Sequence, residues 1–183
     1  MTSLSQARRN ALLALLLAGA LLALVAWLRD DAAAGVNQRN PAEYPELFAV
    51  AQACPPRGDA LANGRRSEEL GLLRADRYAY NPRDGVRAVQ RFQQAEACYR
   101  AAGSEGDAAR VARSSAALSA RVNTDYAAAR LNLVNALEQD RWSVALSEVH
   151  RLLLLTEHLR RHEYVEWLDK IIGKISARAS TAP

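Results

Sequence analysis

The chain has 183 residues, a mass of 20.0 kDa and a formal net charge of +4. Half of its residues are apolar and 24% are charged, which excludes wholesale disorder. Alanine is abundant and aromatic residues make up only 6%, so the composition predicts an all-α protein and argues against an all-β fold. No run of basic residues is interleaved with aromatic residues, which argues against nucleic acid as a partner.

An uncharged apolar segment lies close to the N-terminus, over residues 11–28. At 1.5 Å per residue a helix of this length spans roughly 27 Å, close to the thickness of the hydrocarbon core of a bilayer. Arg8 and Arg9 precede the segment, and Trp27 lies at its far end, where an indole favours the membrane interface. The segment is therefore predicted to be a single transmembrane helix that inserts in the lipid bilayer.

The charges on either side of this segment predict its orientation. More cations precede it than follow it, so the positive-inside rule places the N-terminus in the cytoplasm and the rest of the chain outside the inner membrane. The alternative is a signal peptide that is cleaved before Gly35, after the small residues Ala32–Ala34. The use of arginine in place of lysine is typical of a bacterial genome of high GC content, so the predicted compartment is the periplasm.

The chain contains two cysteines, Cys54 and Cys98. In an exported domain they are the only pair that can form an intramolecular disulfide. The alternative is two separate buried thiols. No third cysteine exists and no histidine lies near either cysteine in sequence, which argues against a metal site there.

The first part of the exported region contains turn signals and two predicted helices. Pro45 is a favoured first helical residue, so a short helix is predicted over 45–54, followed by a turn-rich stretch. Ser67 is a candidate N-cap for a second helix, with apolar positions that include Leu70 and Leu73. This helix should end before Asn81, because the residue that precedes a proline avoids the helical region.

The clearest helix signals follow. Asn81 is a good N-cap, Pro82 occupies the first helical position, and Asp84 favours the helix N-terminus. Apolar residues then recur at spacings of three and four, and Gly103 stands where a C-terminal glycine is expected. No further proline occurs before Pro183, which predicts a succession of helices.

Three more helical stretches are predicted in the proline-free part. The pattern over 107–138 fits one long helix or two. A polar turn at 138–141 precedes an apolar helix over 142–155, and a final stripe runs from Tyr164 to Ile175. The predicted organisation is a short cytoplasmic N-terminus (1–10), a transmembrane segment (11–28), a linker (29–43), a helical domain (44–176) and a flexible tail (177–183).

Residues with the pattern small-x3-aromatic-x2-small occur twice in succession, as Ala88, Phe92 and Ala95 and again as Ala95, Tyr99 and Ala102. This pattern is similar to the second-helix signature of a tetratricopeptide repeat. The resemblance implies antiparallel helical hairpins in an array that binds proteins or peptides.

Two further stretches contribute to the resemblance. Residues 129–153 resemble one such repeat, with a helix, a polar turn, Trp142 and then Ala145, and the expected Leu-Gly pair is present as Leu70-Gly71. A compact helical bundle would produce the same apolar stripes, so the sequence leaves array and bundle both open.

No arrangement of residues identifies a reaction. His158 and His162 have the spacing of two metal ligands on one helix, but Arg160 and Arg161 would repel a cation, so no metal site is predicted. No motif indicates a cofactor. We therefore expect a non-catalytic protein, an accessory scaffold of a bacterial envelope assembly that binds protein partners in or at the membrane.

The alternative is a membrane-tethered enzyme or ligand-binding bundle with an unrecognised site. For the binding protein, the candidate partner-binding residues are basic and aromatic. Arginines on the second predicted helix would attract an acidic partner, and tryptophans can anchor an interface. The candidates are Arg74, Arg77, Trp142 and Trp167.

Overall fold

The computed structural model describes residues 43–181, and every regular element in that range is helical. Five α-helices are present with one short 3₁₀-helix and no strand in the described range, which confirms the all-α prediction. They are α1 (Ala60–Arg77), α2 (Pro82–Ala101), α3 (Glu105–Glu138), α4 (Trp142–Leu155), a 3₁₀-helix (Glu157–Leu159) and α5 (Glu163–Thr181).

The predicted transmembrane segment, 11–28, lies outside the described residues, as does almost all of the predicted linker. Within 43–181, none of the helices combines the length and the apolar character needed to cross a bilayer.

Consecutive helices pack on one another, α1 on α2, α2 on α3, α3 on α4 and α4 on α5. A smaller contact joins α2 to α4. Short turns connect the helices of each pair. The buried apolar side chains form two clusters, and α3 contributes residues to both.

Helix α1 begins earlier than the sequence suggests. We expected Ser67 to cap it, but the N-cap is Asp59, whose carboxylate accepts a hydrogen bond from the Ala62 N–H at 2.7 Å. Ser67 lies inside the helix and is buried. The buried face of α1 is built from small residues, while Leu70 and Leu73, two apolar positions of the predicted helix, are exposed by 36% and 56%.

Helix α2 begins and ends as predicted. The side chain of Asn81 accepts a hydrogen bond from the Arg83 N–H, and Pro82 is the first helical residue. At the other end Gly103 has a φ of +71°, and the Ser104 N–H reaches the Tyr99 carbonyl at 2.9 Å. This is a Schellman ending, in which glycine adopts the left-handed conformation without the steric cost that a side chain would impose.

Helix α3 is a single helix of 34 residues, which settles the choice that the sequence leaves open. Its first half joins α1 and α2 in a first core that consists mainly of small and aromatic residues: Ala88, Phe92, Ala95, Tyr99, Ala108 and Val111. Its second half joins α4 and α5 in a second core of larger side chains, among them Val122, Leu133, Leu152, Tyr164, Leu168 and Ile171.

The last helix corrects the predicted end of the domain. We expected a flexible tail over 177–183, but α5 continues to Thr181. Its last turns contain alanine and arginine, which favour helix, and no glycine or proline interrupts them.

Candidate functional site

The chain between residues 43 and 54 is an irregular strap with a turn at Leu47 and Phe48, not the helix predicted over 45–54. Its first half is fixed on the second core. The Tyr44 ring makes an edge contact with the Tyr164 ring, with centroids 5.1 Å apart, and the Arg130 guanidinium lies 4.0 Å from the Tyr44 ring centroid. Leu47 is 3% exposed, and its carbonyl accepts a hydrogen bond from His158 Nε2 at 2.8 Å.

The other end of the strap is joined covalently to α2. Cys54 and Cys98 form a disulfide, with their Cα atoms 4.7 Å apart. Cys98 is fully buried in the last turns of α2. Tertiary contacts and a covalent bond therefore hold the strap at both ends, and these interactions replace the helix that Pro45 suggests.

A polar cavity of about 300 Å³ lies between the strap, α1 and α2. Three guanidinium groups and three primary amides line it, and no carboxylate of residues 43–181 does. The lining residues are Gln52 of the strap, Arg74 of α1, and Arg87, Gln90, Arg91 and Gln94 of α2.

Two arginines beside this cavity share one buried carboxylate. The Asp84 side chain is 8% exposed and lies 2.9 Å from Arg74 and 3.3 Å from Arg77. The carboxylate therefore neutralises only one of the two positive charges. It also fixes the Arg74 guanidinium, whose Nε is buried without a hydrogen-bond partner in the described part of the chain.

A second carboxylate, from outside α2, is also shared by several arginines. Glu157, at the start of the 3₁₀-helix, lies 2.8 Å from Arg83, 3.2 Å from Arg87 and 3.7 Å from Arg160. One negative charge here faces three positive ones. A neighbouring cavity of about 200 Å³, lined by Arg83, Arg87 and Arg160, continues this surface to His158. A further cavity of about 260 Å³ is lined mainly by strap residues, which include Glu46, and by no arginine of the described residues.

Arg91 adds a further charge to this surface. Its guanidinium donates a hydrogen bond to Gln94 Oε1 at 2.7 Å, and no carboxylate lies within ion-pair distance of it among residues 43–181. The surface, which we call the arginine face, therefore has a surplus of positive charge. It consists of Arg74, Arg77, Arg83, Arg87, Arg91 and Arg160.

The structure brings two of the four predicted partner-binding residues together. Arg74 and Arg77 meet at Asp84, on the arginine face. Trp142 is half-buried at the start of α4, where the Arg178 guanidinium lies 4.7 Å from its ring centroid. Trp167 is only 7% exposed and stacks on Tyr164, so it belongs to the second core.

The sequence analysis missed four members of the arginine face, and a usable signal existed for three of them. Arg83, Arg87 and Arg91 lie four residues apart, so they form one stripe on α2. Arg160 lies three residues after Glu157, but no signal in the sequence places this pair beside α2, because only the packing of the helices brings Glu157 to Arg83 and Arg87.

The histidines have structural contacts. His158 bonds the Leu47 carbonyl, and His162 Nδ1 accepts a hydrogen bond from the Tyr164 N–H at 3.1 Å. Within the described range, no group of three histidine, cysteine or acidic side chains is placed to hold a metal ion.

A second group of charged residues joins α1 to α3 beside the first core. Arg110 forms an ion pair with Glu68 and a second one with Asp107 at 2.8 Å. The hydrogen bond from Arg110 holds the pKa of Glu68 below its ordinary value. Tyr99 donates a hydrogen bond to Glu68 at 2.8 Å, and burial together with this bond raises the pKa of Tyr99 to about 12. In this group one arginine faces two carboxylates, whereas arginines outnumber carboxylates on the arginine face.

Comparison with known proteins gives no identification. No protein-family model, no curated protein and no solved structure matches the chain.

Proposed function

We propose that the chain is a non-catalytic scaffold whose helical domain binds an acidic segment of a partner protein at the arginine face. The observation that carries this proposal is the charge of that face. Five arginines share the carboxylates of Asp84 and Glu157, and Arg91 has no carboxylate partner among the described residues. Complementary charge both steers association and selects partners.

The arrangement of the helices supports a binding role of the tetratricopeptide type. Ala88 and Ala95 of the repeat-like pattern are fully buried, and Phe92 is 3% exposed. The glycine of the Leu70-Gly71 pair lies directly over the Phe92 ring. Residues that produce the resemblance thus meet in one helical hairpin. We further propose that the helical domain is a short array of such hairpins. Arrays of this kind present extended surfaces for protein binding.

The membrane location is also part of the proposal. It depends on the apolar segment 11–28, which would place the helical domain on the periplasmic side of the inner membrane. The Cys54–Cys98 disulfide supports an oxidising compartment, because disulfides are rare in the cytosol. In this location the protein would be an accessory part of an envelope assembly.

The experiment is a titration of the full chain, in detergent micelles, with a fluorescently labelled oligoglutamate peptide. Fluorescence anisotropy measures the affinity at low and at high ionic strength. We expect saturable binding that weakens as salt rises, because salt screens exposed charges. An oligoserine peptide of the same length should not bind.

Charge reversals locate the binding surface. The double variant Arg83→Glu and Arg160→Glu changes the arginine face outside the strap cavity. Arg65→Glu with Arg113→Glu makes the same change in net charge at exposed positions that line none of these cavities. The first variant should lose about tenfold or more in affinity, which corresponds to roughly 1.4 kcal/mol. Equal losses in both variants, or no binding by the wild type, would refute the proposal.

A further inference from the structure

We propose that the cavity between the strap, α1 and α2 binds a single carboxylate side chain of an extended acidic peptide, and that the disulfide-held strap forms one wall of this site. The inference deepens the proposed function and rests on it. It adds a specific pocket to a charged surface, and it makes the position of Gln52 depend on the Cys54–Cys98 bond.

The guanidinium groups in the cavity are arranged for an anion. Asp84 holds Arg74 from one side, and Glu157 holds Arg87 from the other. These carboxylates fix the two side chains without lining the cavity themselves. Arg91, one helical turn after Arg87 on α2, lines the same cavity and has no carboxylate partner among the described residues. Guanidinium groups bind carboxylates with two parallel hydrogen bonds, so a preorganised pair offers both charge and shape.

The amides in the cavity indicate that the anion belongs to a peptide. Gln52 and Gln90 each offer a donor and an acceptor, whereas the Gln94 oxygen already accepts hydrogen bonds from Arg91 at 2.7 Å and from Ser67 at 3.3 Å, so Gln94 offers a donor. The backbone of an extended peptide has both donors and acceptors for these amides, whereas inorganic phosphate offers mainly acceptor oxygens. The volume, about 300 Å³, is at the small end of ligand sites, which suits one side chain and its own peptide unit.

The strap contributes to the site only because it is fixed at both ends. Gln52 lies two residues before Cys54 and five residues after Leu47, the two points where the strap is held. Of the residues between these points, Ala49, Val50, Ala51 and Ala53 are exposed and make little contact with the helices. Without the disulfide, the contacts of Tyr44 and Leu47 remain, but Gln52 is no longer held over Arg74 and Arg91.

The test uses the full chain and the same labelled oligoglutamate. Arg91→Gln removes the unpaired charge and should weaken binding about tenfold, the loss expected for a charge-assisted hydrogen bond. Gln52→Ala keeps the disulfide and every arginine, and should weaken binding by a smaller factor, roughly three to five. Arg113→Gln is the matched control and should bind as the wild type does.

The disulfide is tested with the double variant Cys54→Ser and Cys98→Ser, whose folding is checked by circular dichroism. Its affinity should fall at least as much as that of Gln52→Ala. If the double variant does not fold, Gln52→Ala alone decides whether the strap is part of the site. Unlabelled glutamate peptide should displace the probe at far lower concentrations than inorganic phosphate or glycerol phosphate.

The outcomes separate this inference from the proposed function. If the wild type binds and Arg83→Glu with Arg160→Glu does not, the arginine face is the binding surface. Normal binding by Arg91→Gln and Gln52→Ala would then refute only the proposal that the cavity binds a carboxylate side chain. Displacement by phosphate as effective as displacement by the peptide would overturn the carboxylate assignment and indicate an anionic lipid headgroup. A wild type that does not bind the peptide refutes both proposals.

Discussion

In the first core, α1 approaches α2 through Gly64, Ser67 and Gly71, and the rings of Phe92 and Tyr99 fill the space opposite them. The second core contains many leucine, isoleucine and aromatic side chains, together with Ala129, Ala136 and Ala145. The helices of the two regions therefore pack in different ways. In the first core, small residues of α1 allow a close approach to α2, and in the second core, large side chains fill the space between the helices.

This difference affects how each region tolerates change. Apolar burial stabilises a fold in proportion to the area removed from water, so the second core is the larger contributor to stability. The first core buries small residues, which contribute less, and the disulfide beside it links the strap to α2. Neither the two cysteines nor the small residues of α1 belong to the second core, so the disulfide and the small-residue contact can be altered separately from it.

The largest expected effect is in the second core. Leu168 is fully buried, and Leu168→Ala should lower the free energy of unfolding by about 2–5 kcal/mol, through lost burial and the cavity that remains. Urea denaturation followed by circular dichroism measures the change. Leu72→Ala is the control, because Leu72 is 52% exposed and its loss should cost less than about 0.5 kcal/mol. Equal effects would contradict the assignment of the second core.

Local signals in the sequence predicted three of the helices well, α2, α4 and α5. The Asn81-Pro82 start, the Gly103 ending and the apolar stripes of α4 and α5 depend on residues within one or two turns of each other. Interactions of this range can be recognised without knowledge of the fold.

The errors occur where a distant residue decides the local structure. Gly64 suggested a turn, but it allows α1 to approach the Tyr99 ring of α2. Pro45 suggested a helix, but the contacts of Leu47 and the Cys54–Cys98 bond keep this segment irregular. At the site, the sequence identified Arg74 and Arg77 as candidate partner-binding residues. It did not show that they lie near the other arginines, because that depends on how α1, α2 and the turn after α4 pack.

Removal of the disulfide is expected to have the next largest effect. The bond joins residues 44 apart in sequence, and a loop of this length stabilises a fold by about 2–4 kcal/mol. Cys54→Ser with Cys98→Ser should therefore lower the free energy of unfolding by that amount. Urea denaturation of the oxidised wild type, the reduced wild type and the variant measures it. The reduced wild type should match the variant, and a reduced protein as stable as the oxidised one would contradict the prediction.

The contact between α1 and α2 is tested by adding one methyl group. A Cβ on Gly71 would lie 2.7 Å from the Phe92 ring, so Gly71→Ala should destabilise the domain by about 1–3 kcal/mol. Differential scanning calorimetry gives the shift in melting temperature.

Gly173→Ala in α5 is the matched control. A Cβ there would meet nothing within 4 Å, so only the helix propensity changes, and the domain should gain up to about 1 kcal/mol. The two substitutions should thus have opposite signs. A stabilising Gly71→Ala would show that α1 can move away from α2 without cost, and that the first core does not depend on small residues.

The smallest expected effect is a dependence on pH, confined to the edge of the first core. The Arg110 hydrogen bond lowers the pKa of Glu68 in the folded state, so the unfolded chain binds a proton at this carboxyl more readily. The stabilisation is therefore fully present above the ordinary glutamate value of 4.5 and is lost as pH falls through the lower pKa of the folded state. The effect is modest because the Arg110 side chain is 47% exposed and water screens the pair.

Glu68→Gln removes the titrating group and keeps a side chain of the same size, so it isolates this contribution. The wild type should be more stable than Glu68→Gln near neutral pH, and the difference should shrink as the pH falls below 4.5, because a protonated Glu68 resembles glutamine. Urea denaturation of both proteins across this range measures it. The loss should be reproduced by high salt at neutral pH, since salt screens the same pair. A difference that stays constant with pH would mean that Glu68 contributes through its hydrogen bond with Tyr99 and not through its charge.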